Sequence, residues 1–330
     1  MTIKKDEQMM RSTTATETIR SELLPLLREQ KPELHGNQKV WHLARSDTWY
    51  QHPSQVNLYN AITSNHDYAS DMCRAEERCF YDNKSDLRGL FPRRFYLVDL
   101  GPGDGKHTFK LMRAAGLTQR IGHYYPVDIS EIELKKSSAT ASREGIPNVT
   151  AIKANFIEEL SKVTDSVSLS RPALYNIGAS FSNFDREFIL ALLSDGIPAG
   201  NYAYLSAQLL TGDAAKIEIQ YAQEESTQIV IEVMKSFGFE KSDIVPEVEY
   251  NWPTREIWVS VVINRMPAEV AKLNGEFKNI EEGNRIVIMK SYKPKLFEFE
   301  QLAGRYFNGM VFTDKAATYA GFIGQPRKSP

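Results

Sequence analysis

The sequence predicts an α/β protein built on a doubly wound, mainly parallel sheet, with a second, smaller α+β lobe. A short apolar segment, Phe95–Leu100, has the pattern of a buried strand and leads into a glycine-rich turn and a helix. Strand-like and helix-like segments then alternate as far as residue 210, which is typical of parallel sheets. Beyond Thr211 this alternation stops, and strand-like runs follow one another without long helices between them.

The turn after the first predicted strand is the strongest candidate for a ligand site. Asp99 lies at the end of the strand, and glycines follow at the alternate positions Gly101, Gly103 and Gly105. Because glycine has no side chain and tolerates sharp turns, a ligand can approach this backbone closely. The dinucleotide fingerprint requires a glycine where this chain has Lys106, so a nicotinamide cofactor fits poorly. The alternative is a plain strand-to-helix turn with no ligand.

The next elements continue the α/β pattern. His107–Ala115 has helical spacing and ends at Gly116, a typical C-terminal cap. Ile121–Ile129 is a second predicted strand that carries Asp128, 27 residues after Gly101. Such folds place a carboxylate on ribose hydroxyls at a spacing of about 20 residues, so Asp128 is a candidate ribose ligand. The alternative is that Asp128 only caps the helix that begins near Ser130.

Three further strands are predicted at residues 148–152, 172–177 and 201–210. In a doubly wound sheet the carboxyl end of the 172–177 strand lies beside the glycine turn, so residues 178–183 should line the same crevice. Asn183 is the polar candidate there because its amide can both donate and accept hydrogen bonds. The alternative is that Asn183 caps a predicted helix over 185–193.

The remaining segments are assigned more coarsely. We predict helices over 16–30, 69–81 and 297–306, and one long helix of over 20 residues over 213–236 that contains Tyr221. The runs 248–250, 256–265 and 285–291 predict an antiparallel sheet, and 310–312 and 317–323 predict two final strands. Aromatic residues between 41 and 68 are more often core residues than site residues.

The composition of the chain argues against several classes of protein. The 330-residue chain has a formal net charge of −2, which argues against nucleic acid as a partner. It has two cysteines, and no Cys/His spacing resembles a zinc site. The N-terminus lacks the apolar run of a signal peptide, and no segment reaches 18 uninterrupted apolar residues. We therefore expect no bound metal, no membrane association and a cytoplasmic location.

The run from Asp99 to Gly105 resembles motif I of class I S-adenosylmethionine (SAM)-dependent methyltransferases, which have a Rossmann-like sheet. That resemblance implies SAM as the cofactor. It also implies that Asn155 and Phe156, which follow the third strand, contact adenine, although Phe156 could be a core residue. The predicted cofactor contacts are Asp99, Gly101, Gly103, Gly105, Lys106, Asp128, Asn155, Phe156 and Gly178.

Residues 45–323 as a whole resemble the SAM-dependent histidine Nα-methyltransferases of the ergothioneine pathway and their amine-methylating relatives. The stretch Leu58–Thr63 with Asp67-Tyr68 is similar to an N-terminal family motif, and Ser291-Tyr-Lys293 is similar to another. The resemblance implies catalytic roles for Asn183 and Tyr221. It implies substrate contacts from Tyr50, Tyr68, Asn183, Tyr221, Met289 and Ser291.

Two positions depart from the family pattern. Histidine-specific members place Glu where this chain has Met289, and a second tyrosine where it has Ala69. A thioether is only a weak hydrogen-bond acceptor, so an imidazole would not be recognised as it is in those members. A larger or more apolar amine, such as an aromatic amino acid derivative, suits these residues better.

The predicted organisation has four parts. Residues 1–92 form the N-terminal helical part of a substrate lobe, 93–212 the SAM-binding domain, 213–290 the accessory part of the lobe, and 291–330 the final strands of the SAM-binding domain. The predicted function is N-methylation of a small-molecule amine, an amino acid or a derivative other than plain histidine. The alternatives are a protein methyltransferase or a non-catalytic SAM-binding protein, and less favoured is a nicotinamide oxidoreductase.

Overall fold

The structure is a computed structural model that describes residues 23, 25–27, 29–44, 72–168, 170–268, 270 and 280–327. It divides into two compact units. The smaller unit comprises Met1–Asn65 and Ala214–Ser291, and the larger comprises His66–Asp213 and Tyr292–Pro330.

The strands, in chain order, are β1 (Glu33–His35), β2 (Gln38–His42), β3 (Phe95–Leu100), β4 (Ile121–Asp128), β5 (Ile152–Lys153), β6 (Ala173–Gly178), β7 (Tyr202–Gln208), β8 (Ile244–Asn251), β9 (Glu256–Ile263), β10 (Arg285–Tyr292), β11 (Phe307–Thr313) and β12 (Tyr319–Pro326). The helices are α1 (Arg74–Asp82), α2 (Lys84–Leu90), α3 (Lys106–Ala114), α4 (Glu131–Arg143), α5 (Leu160–Ser166), α6 (Arg186–Gly196), α7 (Ala214–Tyr221), α8 (Glu224–Ser236) and α9 (Leu296–Tyr306).

The larger unit is organised around a seven-stranded sheet with the strand order β11-β12-β7-β6-β3-β4-β5. From β5 across to β7 the strands are parallel, while β12 is antiparallel to both β7 and β11. The chain leaves β3 toward β4 and β5 and then returns to the other side of β3 with β6. Ligands bind at this kind of switch point, beside the carboxyl ends of the strands, so the fold places the crevice at the ends of β3 and β6.

The central strand β3 is buried on both faces, which explains its nearly continuous apolar sequence. Phe95 and Leu97 pack into the core on one face of the sheet. Val98 and Leu100 pack into the core on the other face, as the two-residue period of a strand requires. The predicted doubly wound α/β fold is therefore confirmed.

The helical segment before β3 packs on the larger unit. The Phe80 ring of α1 makes edge contacts with Tyr204 of β7 and Phe312 of β11, at centroid distances of 5.1 and 5.6 Å. The described residues 72–92 thus belong to the larger unit.

The smaller unit contains a five-stranded sheet with the order β1-β2-β10-β9-β8. Strands β8 and β9 are antiparallel, as predicted, whereas β2 pairs in parallel with β10. The single long helix predicted over 213–236 is wrong, because the structure has α7 and α8 there. Gln223 between them is extended, with φ −63° and ψ 155°, and this interrupts the helical hydrogen-bond ladder. None of the described helices is long and apolar enough to span a bilayer.

Candidate active site

The glycine turn after β3 has the backbone conformation that its sequence indicates. Gly101, Gly103 and Gly105 have φ values of +73°, +54° and +73°, which side-chain-bearing residues rarely adopt. The Gly101 N–H donates to the Val127 carbonyl at 2.8 Å, which fastens the turn to the end of β4. The turn therefore lies at the switch point of the sheet.

The three glycines differ in what surrounds them. A Cβ on Gly103 would meet nothing within 4 Å, and one on Gly101 would meet only the Phe156 ring, at 3.9 Å. A Cβ on Gly105 would lie 3.2 Å from Ser137 Cβ of α4. Gly101 and Gly103 thus leave an open face that suits a ligand, while the missing side chain of Gly105 makes room for helix α4.

Asp99 is buried within the protein at the end of β3, with only 2% of its surface exposed. Its carboxylate accepts hydrogen bonds from Tyr124 Oη at 2.8 Å and from Asn176 Nδ2 at 2.7 Å. Burial raises the pKa of Asp99 to about 6, although hydrogen bonds from Tyr124, Thr108 and Asn176 oppose that rise. The side chain of Asp99 therefore links β3 to β4 and to β6.

Asp128 ends β4 and lies partly buried beside the glycine turn. Its Oδ1 accepts a hydrogen bond from the Ser130 N–H at 2.8 Å. Burial raises the pKa of Asp128 to about 6, while backbone N–H groups of Ser130 and Gly103 lower it. Helix α4 is capped by the Ser130 hydroxyl, which accepts from the Glu133 N–H. Asp128 is thus not the N-cap residue, and its carboxylate lies beside Gly103.

Phe156 and Asn155 follow β5 at the same edge of the sheet. The Phe156 ring lies against Gly101, contacts Phe184 at a centroid distance of 5.9 Å and also packs on the core. Asn155 Oδ1 accepts the Ile157 N–H at 3.1 Å, which orders the turn after the strand. The two residues supply a flat apolar wall and a polar backbone turn beside the open glycines.

Two basic residues, Lys106 and His107, follow the glycine turn at the start of α3. Lys106 is 64% exposed, and its ammonium pairs with Asp104 Oδ2 at 2.5 Å, within the turn itself. His107 instead faces helix α1, and its Nε2 lies 2.7 Å from Glu76 Oε2. The sequence analysis included Lys106 among the cofactor residues and had no role for His107.

Gly178 and Asn183 come from the end of β6 and the 3₁₀ turn Ala179–Asn183. Gly178 has φ +50°, and a Cβ there would lie 3.3 Å from Asn176 Oδ1. That amide oxygen is buried and has no hydrogen-bond partner among the described residues. Asn183 is partly buried and does not cap helix α6, because the Asp185 carboxylate accepts the Phe188 N–H at 2.9 Å. The helix-capping alternative for Asn183 is therefore excluded.

The other predicted substrate residues lie elsewhere in the chain. Tyr50 and Tyr68 are outside the described residues. Tyr221 ends α7, while Met289 is partly buried and Ser291 is buried on β10, all in the smaller unit. Their predicted role in a common substrate site stays a prediction.

A buried polar cluster in the larger unit escaped the sequence analysis. It is centred on Glu76 of α1, which is 2% exposed and hydrogen-bonds to residues of α3, β7 and β12. In the sequence Glu76 stands in a charged stretch typical of a solvated helix face. Its hydroxyl-bearing partners are about 130 to 240 residues away, and no local pattern indicates them.

These residues fit SAM, the cofactor that the resemblance of the glycine turn to motif I implies. Because no side chain covers the turn at Gly101 and Gly103, a ligand can lie directly against the backbone there. The Asp128 carboxylate can accept hydrogen bonds from ribose hydroxyls. The Phe156 ring offers an aromatic face on which a base can pack. Among the described residues there is no group of His, Cys, Asp and Glu that could hold a metal ion. The fold and this site define a class I SAM-dependent methyltransferase.

A comparison with models of protein families shows to which family within this class the chain belongs. Residues 50–323 match the model of the family described as histidine-specific methyltransferase, SAM-dependent. The chain belongs to that family, and SAM is its cofactor. No curated protein matches this chain.

Solved structures are more distantly similar. The chain has 13% identity and a TM-score of 0.44 to the PH0226 protein of Pyrococcus horikoshii OT3, covering 82% of this chain and 98% of that one. It has 10% identity and a TM-score of 0.41 to a SAM-dependent methyltransferase of Clostridium acetobutylicum ATCC 824, covering 82% of this chain and 98% of that one. A third similar structure is that of 1,6-didemethyltoxoflavin-N1-methyltransferase of Burkholderia thailandensis, crystallised with S-adenosylhomocysteine. The identity is 11% and the TM-score 0.39, and the match covers 83% of this chain and 89% of that one. The family assignment rests on the family match alone.

Proposed function

We propose that this protein is an N-methyltransferase that acts on the amino group of an amino acid, or of an amine derived from one, other than plain histidine. Family membership supports the reaction class. The observation that carries the substrate proposal is Met289, which stands on β10 where histidine-specific members of the family have an acidic residue.

Methyl transfer from SAM to an amine requires little covalent chemistry from the protein itself. Bound SAM supplies a methyl group that is already electrophilic, because it is attached to a sulfonium. The protein has to align a neutral amine with that methyl group, and well-oriented pairs of reactants can gain about 7–11 kcal/mol from positioning. The α-amine of a peptide has a pKa of about 8, and the amine of a free amino acid has a higher one because of its own carboxylate. Removal from water lowers the pKa of an amine and so favours the neutral form that attacks the methyl group.

Asn183 is the residue that we assign to amine orientation. It stands at the end of the 3₁₀ turn that leaves β6, at the carboxyl edge where β3 ends in the glycine turn. Its amide oxygen can accept an amine N–H, and its amide nitrogen can donate to a carboxylate. Tyr221 is the second residue to which we assign this role, with Ser291 and, outside the described residues, Tyr50 and Tyr68 as further substrate contacts.

The proposed specificity follows from Met289. A partly buried thioether accepts only weak hydrogen bonds but packs well on aromatic rings. An imidazole would therefore lose a charged partner, whereas an aromatic side chain would gain a favourable contact. We expect aromatic amino acids or their derivatives to be better substrates than histidine.

The function is tested by a methyl-transfer screen over free amino acids and aromatic amines, followed as formation of S-adenosylhomocysteine and of the methylated product. With the best substrate, Asn183→Ala should lower kcat/KM by about 10- to 100-fold, as expected for a lost hydrogen bond to a charged group. Asn308→Ala, at an exposed asparagine on β11, is the matched control and should leave kcat/KM unchanged. Equal activity of Asn183→Ala and wild type would remove Asn183 from the site. Transfer to protein acceptors alone would instead support a protein methyltransferase.

The substrate class has its own test. Met289→Glu restores an acidic residue on β10 and should shift the kcat/KM ratio of histidine to the best aromatic amine by about tenfold or more toward histidine. Met289→Gln has a similar size and no charge, and it separates the effect of charge from that of shape. An unchanged ratio in Met289→Glu would contradict the role of Met289 in specificity.

A further inference from the structure

One edge of the seven-stranded sheet is a strand without the features that usually protect a sheet edge. Strand β11 is that edge, and it pairs with β12 along its whole length without a bulge. None of its seven residues is charged and none is proline. Gly309 is exposed, and Met310 and Val311 are partly buried. An open edge of this kind is a template for a further strand, so natural proteins normally block it.

The other three edges of the two described sheets carry such protection. Strand β5, at the opposite edge of the same sheet, has only two residues. In the smaller unit, β1 has three residues, and β8 carries Pro246, Glu247 and Glu249. Short strands, proline and charged side chains all hinder pairing with a further strand. Among the described edge strands, β11 is therefore the one that is long, uncharged and regular.

The hydrogen bonds between β11 and β12 show which backbone groups of β11 face outward. The Arg327 N–H donates to the Tyr306 carbonyl at 2.8 Å, and the Asp314 N–H donates to the Tyr319 carbonyl at 3.4 Å. Successive residues of an antiparallel strand direct their N–H and C=O groups alternately to one side and to the other. The even-numbered residues of β11 therefore bond to β12, and the odd-numbered residues direct their backbone groups away from it.

The outward groups are closed at both ends of β11 and open in its middle. The Phe307 carbonyl accepts from the side chain of the arginine after β12 at 3.3 Å. The Thr313 carbonyl accepts from the side chain of the asparagine after α1 at 2.8 Å. Between them, the outward N–H and C=O groups of Gly309 and Val311 have no hydrogen-bond partner among the described residues. These four open groups are symmetric about Met310, and the two closed carbonyls lie three residues to either side of it.

This symmetry identifies the strand that fits the open edge. A second copy of β11, antiparallel to the first and related to it by a two-fold axis at Met310, places Gly309 of each copy opposite Val311 of the other. Each of these two pairs exchanges two hydrogen bonds, so all four open groups of each copy are used. The Val311 side chain then lies beside a residue that has no side chain. The two Met310 side chains meet at the axis, where a flexible thioether packs readily.

We propose that two copies of this protein associate through β11, which joins their seven-stranded sheets into one continuous sheet across a two-fold axis. Such a dimer is closed, because pairing covers β11 and the outer edges of the joined sheet are then the two-residue strands β5. The interface uses none of the residues that we assign to the cofactor or to the amine. The inference is therefore independent of the proposed function.

Analytical ultracentrifugation of the wild-type chain over a dilution series tests the proposal. We expect a reversible equilibrium between monomer and dimer, without larger species. Val311→Pro should raise the dissociation constant of the dimer about tenfold or more, because each copy loses one outward donor. The Val311 N–H faces away from β12, so proline removes no hydrogen bond within one copy. Met310→Lys places two ammonium groups at the axis and should leave the chain monomeric. Val245→Lys, at an exposed valine of the edge strand β8, is the matched control and should not change the equilibrium.

A cysteine at position 310 provides a second readout, which reports the register of the pairing. Residues that face each other in an antiparallel pair without mutual hydrogen bonds have Cα atoms about 4.5 Å apart, which suits a disulfide. Met310→Cys should therefore give a covalent dimer under a mild oxidant. Asn308→Cys is the matched control, because its two copies would be about 14 Å apart along the strands. The wild-type chain, with its free Cys73 and Cys79, gives the background.

The proposal is overturned if the wild-type chain stays monomeric at every concentration. It is equally overturned if Val311→Pro and Met310→Lys dimerise as wild type does, since another surface would then carry the dimer. Equal cross-linking of Asn308→Cys and Met310→Cys would exclude the two-fold pairing centred on Met310. Binding of S-adenosylhomocysteine shows whether each variant is folded. Should Val311→Pro not fold, the two cysteine variants still test the pairing.

Discussion

Two glycines in the same turn should respond differently to substitution by alanine: Gly105→Ala should lose more stability, and Gly103→Ala more affinity for the cofactor. Gly105→Ala places a methyl group 3.2 Å from Ser137 Cβ and 3.3 Å from Ser137 Cα, so the backbone of α4 has to move. Overpacking of this kind costs about 1–3 kcal/mol. A left-handed conformation at a non-glycine residue adds about 1–2 kcal/mol, and φ at Gly105 is +73°. The free energy of unfolding should therefore fall by about 2–5 kcal/mol.

Gly103→Ala is the matched control for stability. Its φ of +54° carries a similar conformational cost of about 1–2 kcal/mol, but its Cβ would meet nothing within 4 Å. The entropy that alanine removes from the unfolded chain is the same in both variants and cancels in their difference. The variant at position 105 should thus be less stable than the variant at 103 by about 1–3 kcal/mol.

Urea unfolding measures this difference, provided that the slope of free energy against urea is the same in both variants. Calorimetry with S-adenosylhomocysteine then separates packing from binding. Gly103→Ala should weaken binding, because its methyl group enters the open face of the turn, while folded Gly105→Ala should keep more of its affinity. Equal stabilities, or greater loss of affinity at position 105, would refute the division between a packing glycine and a ligand-facing glycine.

A further prediction concerns the acid side of the pH profile. Burial raises the pKa of Asp128 to about 6, so cofactor affinity should fall as the pH drops through about 6, where the carboxylate becomes protonated. That fall should affect S-adenosylhomocysteine and 5′-methylthioadenosine alike, because both carry the ribose that we assign to Asp128. Asp128→Asn should weaken both ligands by about 10- to 100-fold and remove the acid dependence. An acid fall that persists in Asp128→Asn would assign it to another group, such as Asp99.

Local sequence patterns were sufficient to predict the central part of the fold. The apolar run of β3, the alternation of strands and helices after it, and the glycines with positive φ are set by neighbouring residues, and the structure agrees with them. The same holds for the position of Asp128 at the end of β4. The parallel pairing of β2 with β10 was not predictable in this way, because the paired residues are about 245 positions apart.

The sequence by itself determined the α/β class, the glycine turn and the acidic residue that follows the second strand, since short-range periodicity and backbone sterics dictate these features. Only the tertiary structure showed that Gly105 accommodates a helix, that Lys106 pairs with Asp104 at the surface, and that Glu76 is buried against His107. A charged residue in a helix has the same sequence signature whether it faces water or a distant strand. Burial and the partner that compensates it depend on which segments the fold brings together, and that information is not local.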